Sequence, residues 1–114
     1  MNKEIDSYND GIAYFYKPLA KMNEFGAKIN SKRKEDFQSS GSSFFKEETR
    51  RVQDYQFAEG LNHQLTLKIS IPYKTISSDL KVVIANYLYD LIHYDIDRKR
   101  RKVFLYLEGV GNFE

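Results

Sequence analysis

Cysteine is absent from this 114-residue chain, which excludes disulfides, thiolate metal sites and a cysteine nucleophile. Histidine is scarce. His63 and His93 lack the spacing of a zinc-binding pair, which speaks against a protein-held zinc ion. GxSxG, P-loop, GxGxxG and HxH patterns are missing, so the chain offers no ready nucleophile or phosphate cradle. The adjacent acids Glu47 and Glu48 would point to opposite faces of a strand, and Glu35 and Asp36 sit in loop-like sequence. Neither forms a held pair of carboxylates for acid–base work. No catalytic residue, cofactor or metal site is therefore expected, and the chain reads as a non-enzyme. No apolar run approaches the ~20 residues that cross a bilayer, and residues 1–10 are polar with three acids. A soluble intracellular product with no membrane partner is the expectation.

Aromatic residues, by contrast, are plentiful. Nine Tyr and eight Phe make up 15% of the chain, while all hydrophobic residues reach only 41%. Either the core is built of rings, or some rings face a partner. Charge is unevenly spread. Arg98, Lys99, Arg100, Arg101 and Lys102 are consecutive, so the rest of the chain carries −3 against an overall +2. Such a block is costly without an anion nearby and points to phosphates or an acidic protein surface. Its bland alternative is a solvated hairpin tip that discourages edge-to-edge association. Lys32-Arg33-Lys34, followed at once by Glu35-Asp36, reads as a solvated loop.

The pattern along the chain is mostly that of strands. After a polar arm (1–10), Ile12–Tyr16 reads as a strand stopped by Lys17-Pro18. A long polar loop spans about 18–43. Met22–Gly26 forms a turn in it, Phe25, Ile29 and Phe37 could anchor it, and Gln38–Ser43 has loop composition. Phe44–Val52 reads as a second strand, with helix competing over Lys46–Arg51. Asp54–Gly60 is more clearly helical, with Asp54 as N-cap and Gly60 as stop. Gln64–Ile71 alternates faultlessly, so one face should be buried and the other wet. Val82–Ile84, Tyr87–Ile96 and Lys102–Leu107 then form a meander through turns at Ala85-Asn86 and Asp97–Arg100, leaving a short tail at 111–114.

A loop at 97–100 pairs Ile96 with Arg101, Tyr94 with Val103 and Ile92 with Leu105 on a core face. The opposite face then receives Tyr87, Tyr89, Leu91, His93, Phe104 and Tyr106. That second face is also largely apolar, and the long excursion, the short helix or another subunit must cover it. The expected architecture is all-β and mainly antiparallel, a small open barrel of about six strands over residues 11–110 with one short helix and one long loop.

The order of short aromatic strand, Asn-Glu-Phe-Gly turn (23–26), Asp-Tyr-Gln-Phe-Ala-Glu-Gly helix (54–60), Leu-Thr-Leu-Lys-Ile strand (65–69), Lys-Val-Val-Ile-Ala-Asn-Tyr-Leu-Tyr-Asp-Leu-Ile (81–92) and a basic hairpin ending in Val-Phe-Leu-Tyr-Leu-Glu (103–108) resembles the head–tail joining proteins of tailed bacteriophages, also called head-closure or stopper proteins. The match centres on residues 64–108. The resemblance implies a small β-barrel that assembles as a ring, commonly of twelve subunits, below the portal or adaptor protein, while staying monomeric in isolation. It implies a virion location at the head–tail interface, host cytoplasm during assembly, a tail completion or tail tube protein as partner, and packaged double-stranded DNA in the channel. It also implies an inward loop that closes the channel. The candidate is the stretch Ser39–Gln53, including Lys46, Glu47, Glu48, Arg50 and Arg51, with 28–43 as an equal choice. Arg98–Arg101 and the rings Tyr87, Tyr89, Phe104 and Tyr106 become subunit or ring–ring contacts. The competing expectation is a small nucleic-acid-binding barrel that uses the basic hairpin and stacks bases on the Tyr/Phe face.

Overall fold

The computed structural model describes residues 7–19 and 32–114. The turn expected at Met22–Gly26 and the anchors Phe25 and Ile29 lie outside them. Among these residues, six strands and one α-helix are arranged as β1 (Gly11–Pro18), β2 (Phe37–Glu47), α1 (Val52–Gly60), β3 (Leu67–Pro72), β4 (Lys81–Ile84), β5 (Tyr87–Asp97) and β6 (Lys102–Asn112), with a single 3-10 turn at Lys34–Asp36 before β2. All neighbours are antiparallel, in the order β1-β2-β3-β6-β5-β4, and β1 pairs with β4 to complete a ring-like sheet. The β2–β3 seam is thin, held by Lys46 opposite Ser70 and Glu47 opposite Ile69. The expected small, barrel-like, mainly antiparallel sheet of about six strands with one short helix is what the described residues form.

Alternation drives the interior. Ala13 and Phe15 of β1, Ile69 and Ile71 of β3, Val82 of β4, and Val103, Leu105 and Leu107 of β6 are fully buried and form one cluster. Ile76 and Leu80 from the loop after β3 complete it. Apart from the small Ala13, the transfer of these side chains from water contributes about 1.5–3 kcal/mol each.

Several local expectations need correction. The stretch 38–43 is strand rather than loop, because its backbone pairs with β1 from Pro18 opposite Phe37 to Gly11 opposite Phe45. Its glycine marks a bulge. Tyr14 faces Ser42 and Tyr16 faces Ser39, and Gly41 takes φ +107 in the extra residue between them. The strand ends at Glu47, not Val52. The helix starts earlier, with Arg51 as N-cap, and Asp54 lies in its first turn, where its carboxylate accepts the Arg51 backbone N–H at 2.9 Å. Gly60 ends the helix, but Asn62 takes the left-handed conformation (φ 61). The last strand runs on to Asn112, and Phe113 is buried beside Val83 and Leu88, so 111–114 is no loose tail.

The β4–β5 register is as expected, with Ile84 opposite Tyr87 and Val82 opposite Tyr89. Ala85 and Asn86 both have positive φ (51 and 63), as a tight two-residue turn requires. Alanine is strained there, so Ala85→Gly should raise stability by about 1 kcal/mol. Denaturant unfolding at equal slope checks this, and an unchanged midpoint would show that the turn is unstrained.

The β5–β6 register differs by two residues from the expected one. Ile96 faces Val103, Tyr94 faces Leu105 and His93 faces Tyr106. The turn occupies 98–101, since Asp97 accepts the Arg100 backbone N–H at 3.1 Å and Arg101 takes φ 53. A bulge between Leu91 and His93 then reverses the faces. Leu91 and Tyr89 pack on the barrel interior, whereas Ile92 joins Phe104 and Tyr106 outside. Tyr87 and Tyr89 therefore do not share a face with Phe104 and Tyr106.

Candidate functional site

The outer face of β3, β5 and β6 holds the densest cluster of charged and aromatic groups. Helix α1 covers part of it. Ala58 packs with Leu65, Tyr106, Ile92 and Phe104, and the Phe57 ring lies 5.0 Å from that of His93. The expected wet face of β3 is therefore buried. Lys68 is 6% exposed and Ser70 fully enclosed.

A charge so deep needs a partner. Lys68 Nζ lies 3.1 Å from Asp54 Oδ2, and Arg51 Nη2 lies 3.1 Å from Asp54 Oδ1. Asp54 is itself only 5% exposed. Burial pushes its carboxyl up, but hydrogen bonds from Arg51 and Lys68 outweigh this and bring its pKa to about 2. Lys68 Nζ also sits 5.3 Å from the Phe104 ring centre and 5.1 Å from that of Tyr106. Lys102, the last residue of the basic run, is buried too, with its Nζ 4.9 Å from the Phe104 ring. The Tyr106 hydroxyl donates to Asp95 Oδ2 at 3.3 Å, and burial together with the Asp95 charge pushes its pKa up to about 12. Tyr106 is thus a neutral donor, not a nucleophile.

Beside this cluster lies an open groove of about 760 Å³. Glu48, Thr49 and Arg51 form one wall, and Ile96, Asp97, Arg98 and Lys99 of the hairpin form the other. Lys68, Phe104 and Tyr106 form its floor. The four cations Arg98–Arg101 are exposed at the tip.

The groove thus brings together Arg98, Lys99, Phe104, Tyr106, Glu48 and Arg51 from the residues singled out in the sequence. It leaves out Tyr87 and Tyr89, whose rings contact each other at 5.1 Å. The proposed channel loop is tethered. Lys46 and Glu47 lie in β2. The Glu48 backbone donates to Lys68 O at 2.8 Å, and its carboxylate accepts the Ser70 hydroxyl at 2.6 Å. Arg50 donates to the Thr66 carbonyl, and Arg51 holds Asp54. The Asp54–Lys68 pair escaped the sequence reading, which placed one at a helix cap and the other on a wet face. A signal was available, because an apolar outer face on β6 requires cover that extends over its neighbour.

Among the described residues, no three His, Asp or Glu side chains gather as a metal site, and no helix is long and apolar enough to cross a membrane. A second exposed feature lies across the sheet. Ile12 of β1 and Phe44 of β2 are directly opposite each other, 38% and 63% exposed, with Tyr14 two residues along at 46%. The chain matches no protein-family model and no curated protein.

Proposed function

We propose that the chain is a ring-forming structural subunit of a phage head–tail connector. The resemblance over residues 64–108 suggests the assembly, and the small barrel suits it. The observation that carries the reading is the uncovered Ile12–Phe44 pair with Tyr14, a cross-strand apolar strip on the outside of β1 and β2. Side-by-side packing of copies around a ring buries such a strip. The ring sits below the portal or adaptor, surrounds the DNA channel, holds packaged DNA and offers a surface to the tail. The work is mechanical. In this reading Lys46, Glu47, Glu48, Arg50 and Arg51 brace the barrel beside α1, and the basic hairpin with its groove faces another ring.

The test is a double variant, Ile12→Thr with Phe44→Thr, which removes the apolar strip and keeps strand-forming residues at both positions. Both side chains are exposed, so the variant should keep its melting temperature within a few degrees. It should fail to join heads to tails in complementation and fail to bind DNA-filled capsids that the native chain binds. Normal joining by the variant, or no capsid binding by the native chain, would reject the connector.

The exposed tip cations favour a second reading, a nucleic-acid-binding barrel. Its signature is a steep fall of DNA affinity with salt for the isolated chain. Its supposed stacking shelf is poorly offered, since Tyr106 is 6% exposed and the Phe104 ring already lies against Lys68 and Lys102.

A further inference from the structure

We infer that copies of this chain meet head to tail, with the Ile12–Phe44–Tyr14 strip of one copy seated on the Phe57–Gly60–Leu61 edge of α1 in the next. This deepens the ring-forming reading and rests on it for the kind of assembly, a repeat of one contact. The starting observation is a glycine with no local purpose. Gly11, Gly41 and Gly111 have positive φ, and a Cβ on Gly109 would meet the Tyr87 ring at 3.0 Å. Gly60 alone among the described glycines has neither constraint. Its backbone is helical, and a Cβ there would meet nothing within 4 Å. Glycine is a poor helix former, and the left-handed residue past the helix is Asn62, so the isolated fold does not call for glycine at this position. What it leaves is a bare, exposed patch of helix backbone.

The bare patch has an apolar border. Phe57 lies three residues before Gly60 and four before Leu61, so the three positions adjoin on the helix surface. Phe57 is 48% exposed and Leu61 45%. The Phe57 ring rests on His93 of β5, which fixes one wall of the dent. A side chain entering here displaces water from helix backbone and touches two apolar neighbours.

Topology names the side chain that enters. In the order β1-β2-β3-β6-β5-β4, β1 lies across the barrel from β6, and β2 from β5. Helix α1 sits outside β5 and β6, through Ala58 on Ile92 and Tyr106. The strip sits outside β1 and β2, and Phe44 is its most exposed member. Strip and dent therefore stand on opposite sides of one barrel. Strip against strip would close a two-fold dimer and leave the helix edge bare. Strip against helix edge covers both patches with one contact, and each copy keeps one of each to continue the series, as a ring requires. Phe44 is the projecting ring and Gly60 the gap that receives it.

A contact centred on so few side chains is weak between free copies, so the test traps it covalently. The absence of cysteine makes this clean. Ser42→Cys marks the strip, since Ser42 is exposed opposite Tyr14 and two residues from Phe44. Gln56→Cys marks the dent, one helical turn before Gly60. The two full-length chains are mixed at high concentration with a short bis-maleimide. The mixture should yield cross-linked dimer roughly fivefold faster than either chain alone at equal total concentration, because docking raises the local concentration of one thiol beside the other. Adding Gly60→Gln to the Gln56→Cys chain should abolish that advantage and leave the melting temperature within a few degrees, since the new side chain enters open space. Equal rates in the mixture and the separate chains, faster self-linking of the Ser42→Cys chain, or an undiminished advantage with Gly60→Gln would each overturn the contact. A large fall in melting temperature with Gly60→Gln would show that the fold itself requires this glycine and would overturn it too. Capsid binding by the native chain reads the connector separately. Capsid binding without the cross-link rejects the head-to-tail contact alone, and the cross-link without capsid binding rejects the connector alone.

Discussion

Asp54→Ala should cost about 3–5 kcal/mol of folding stability, because it leaves the Lys68 ammonium buried without a counter-ion. The loss has a second component. Asp54 also receives the Arg51 backbone N–H at the start of α1, and without it the helix loses the contact that anchors its first turn. Lys68→Met should partly rescue the variant, since a thioether of similar length fills the space between Asp54, Phe104 and Tyr106 without a charge. Strictly additive losses in a double-mutant cycle would show that the two groups act independently.

Acid should reproduce the effect in the native chain. A carboxyl whose pKa is lower in the folded state takes up its proton more readily when unfolded. Its contribution is complete above the unfolded value of 3.8 and is lost as pH falls from there through about 2. The difference corresponds to about 2 kcal/mol. Glu108 adds in the same direction. Burial raises its carboxyl, but His63 Nδ1 at 2.8 Å and the Gln64 backbone N–H at 2.7 Å bring it below the usual range. Stability measured across pH 5 to 2 should therefore fall more steeply in the native chain than in the Asp54→Ala, Lys68→Met double variant. Parallel curves would remove Asp54 as the cause.

What could be read from the sequence follows from how tightly each feature is constrained locally. The β4–β5 hairpin was legible because a two-residue turn permits one register, and Ile84 and Tyr87 flank it directly. The β5–β6 hairpin was misread by two residues because four-residue loops at 97–100 and 98–101 keep the same inward set near the tip. Only the turn's own bonds, from Asp97 to Arg100 and the positive φ of Arg101, distinguish them. The bulge at Ile92 has no local signature at all, since an apolar residue suits either face of a sheet covered on both sides. That one extra residue split the expected aromatic face. It sent Tyr89 inward, while Phe104 and Tyr106 stayed under α1. The serine-rich edge of β2 was hidden for another reason. Its strand conformation comes from pairing with β1, a tertiary cause that composition does not carry. Of the groove, the hairpin cations were visible as a run, but Lys102 turned out to be buried against the Phe104 ring on the outer face.

Phe113→Ala should destabilise the fold by about 3 kcal/mol, in the range of buried Phe truncations, and lower the melting temperature by roughly 10 °C. Phe113 is second from the end of the chain, yet it is only 6% exposed. Its ring lies 4.9 Å from that of Tyr16 and 5.6 Å from that of Phe37, against Val83 and Leu88. The backbone secures it from both sides. Phe113 N–H donates to Asn86 O at 2.8 Å, and Glu114 exchanges bonds with Lys32 O and the Lys34 N–H at 2.8 Å each. The last residues thus tie the β4–β5 turn to the segment entering β2, and they cover an outer apolar patch that α1 does not reach. Phe44→Ala is the matched control. The same truncation at a ring 63% exposed should change stability by less than about 0.5 kcal/mol. Equal effects at the two positions would mean that Phe113 is not packed as described. A large loss at Phe113 with none at Phe44 would separate the chain's rings into those that close the fold and those that stand exposed outside it.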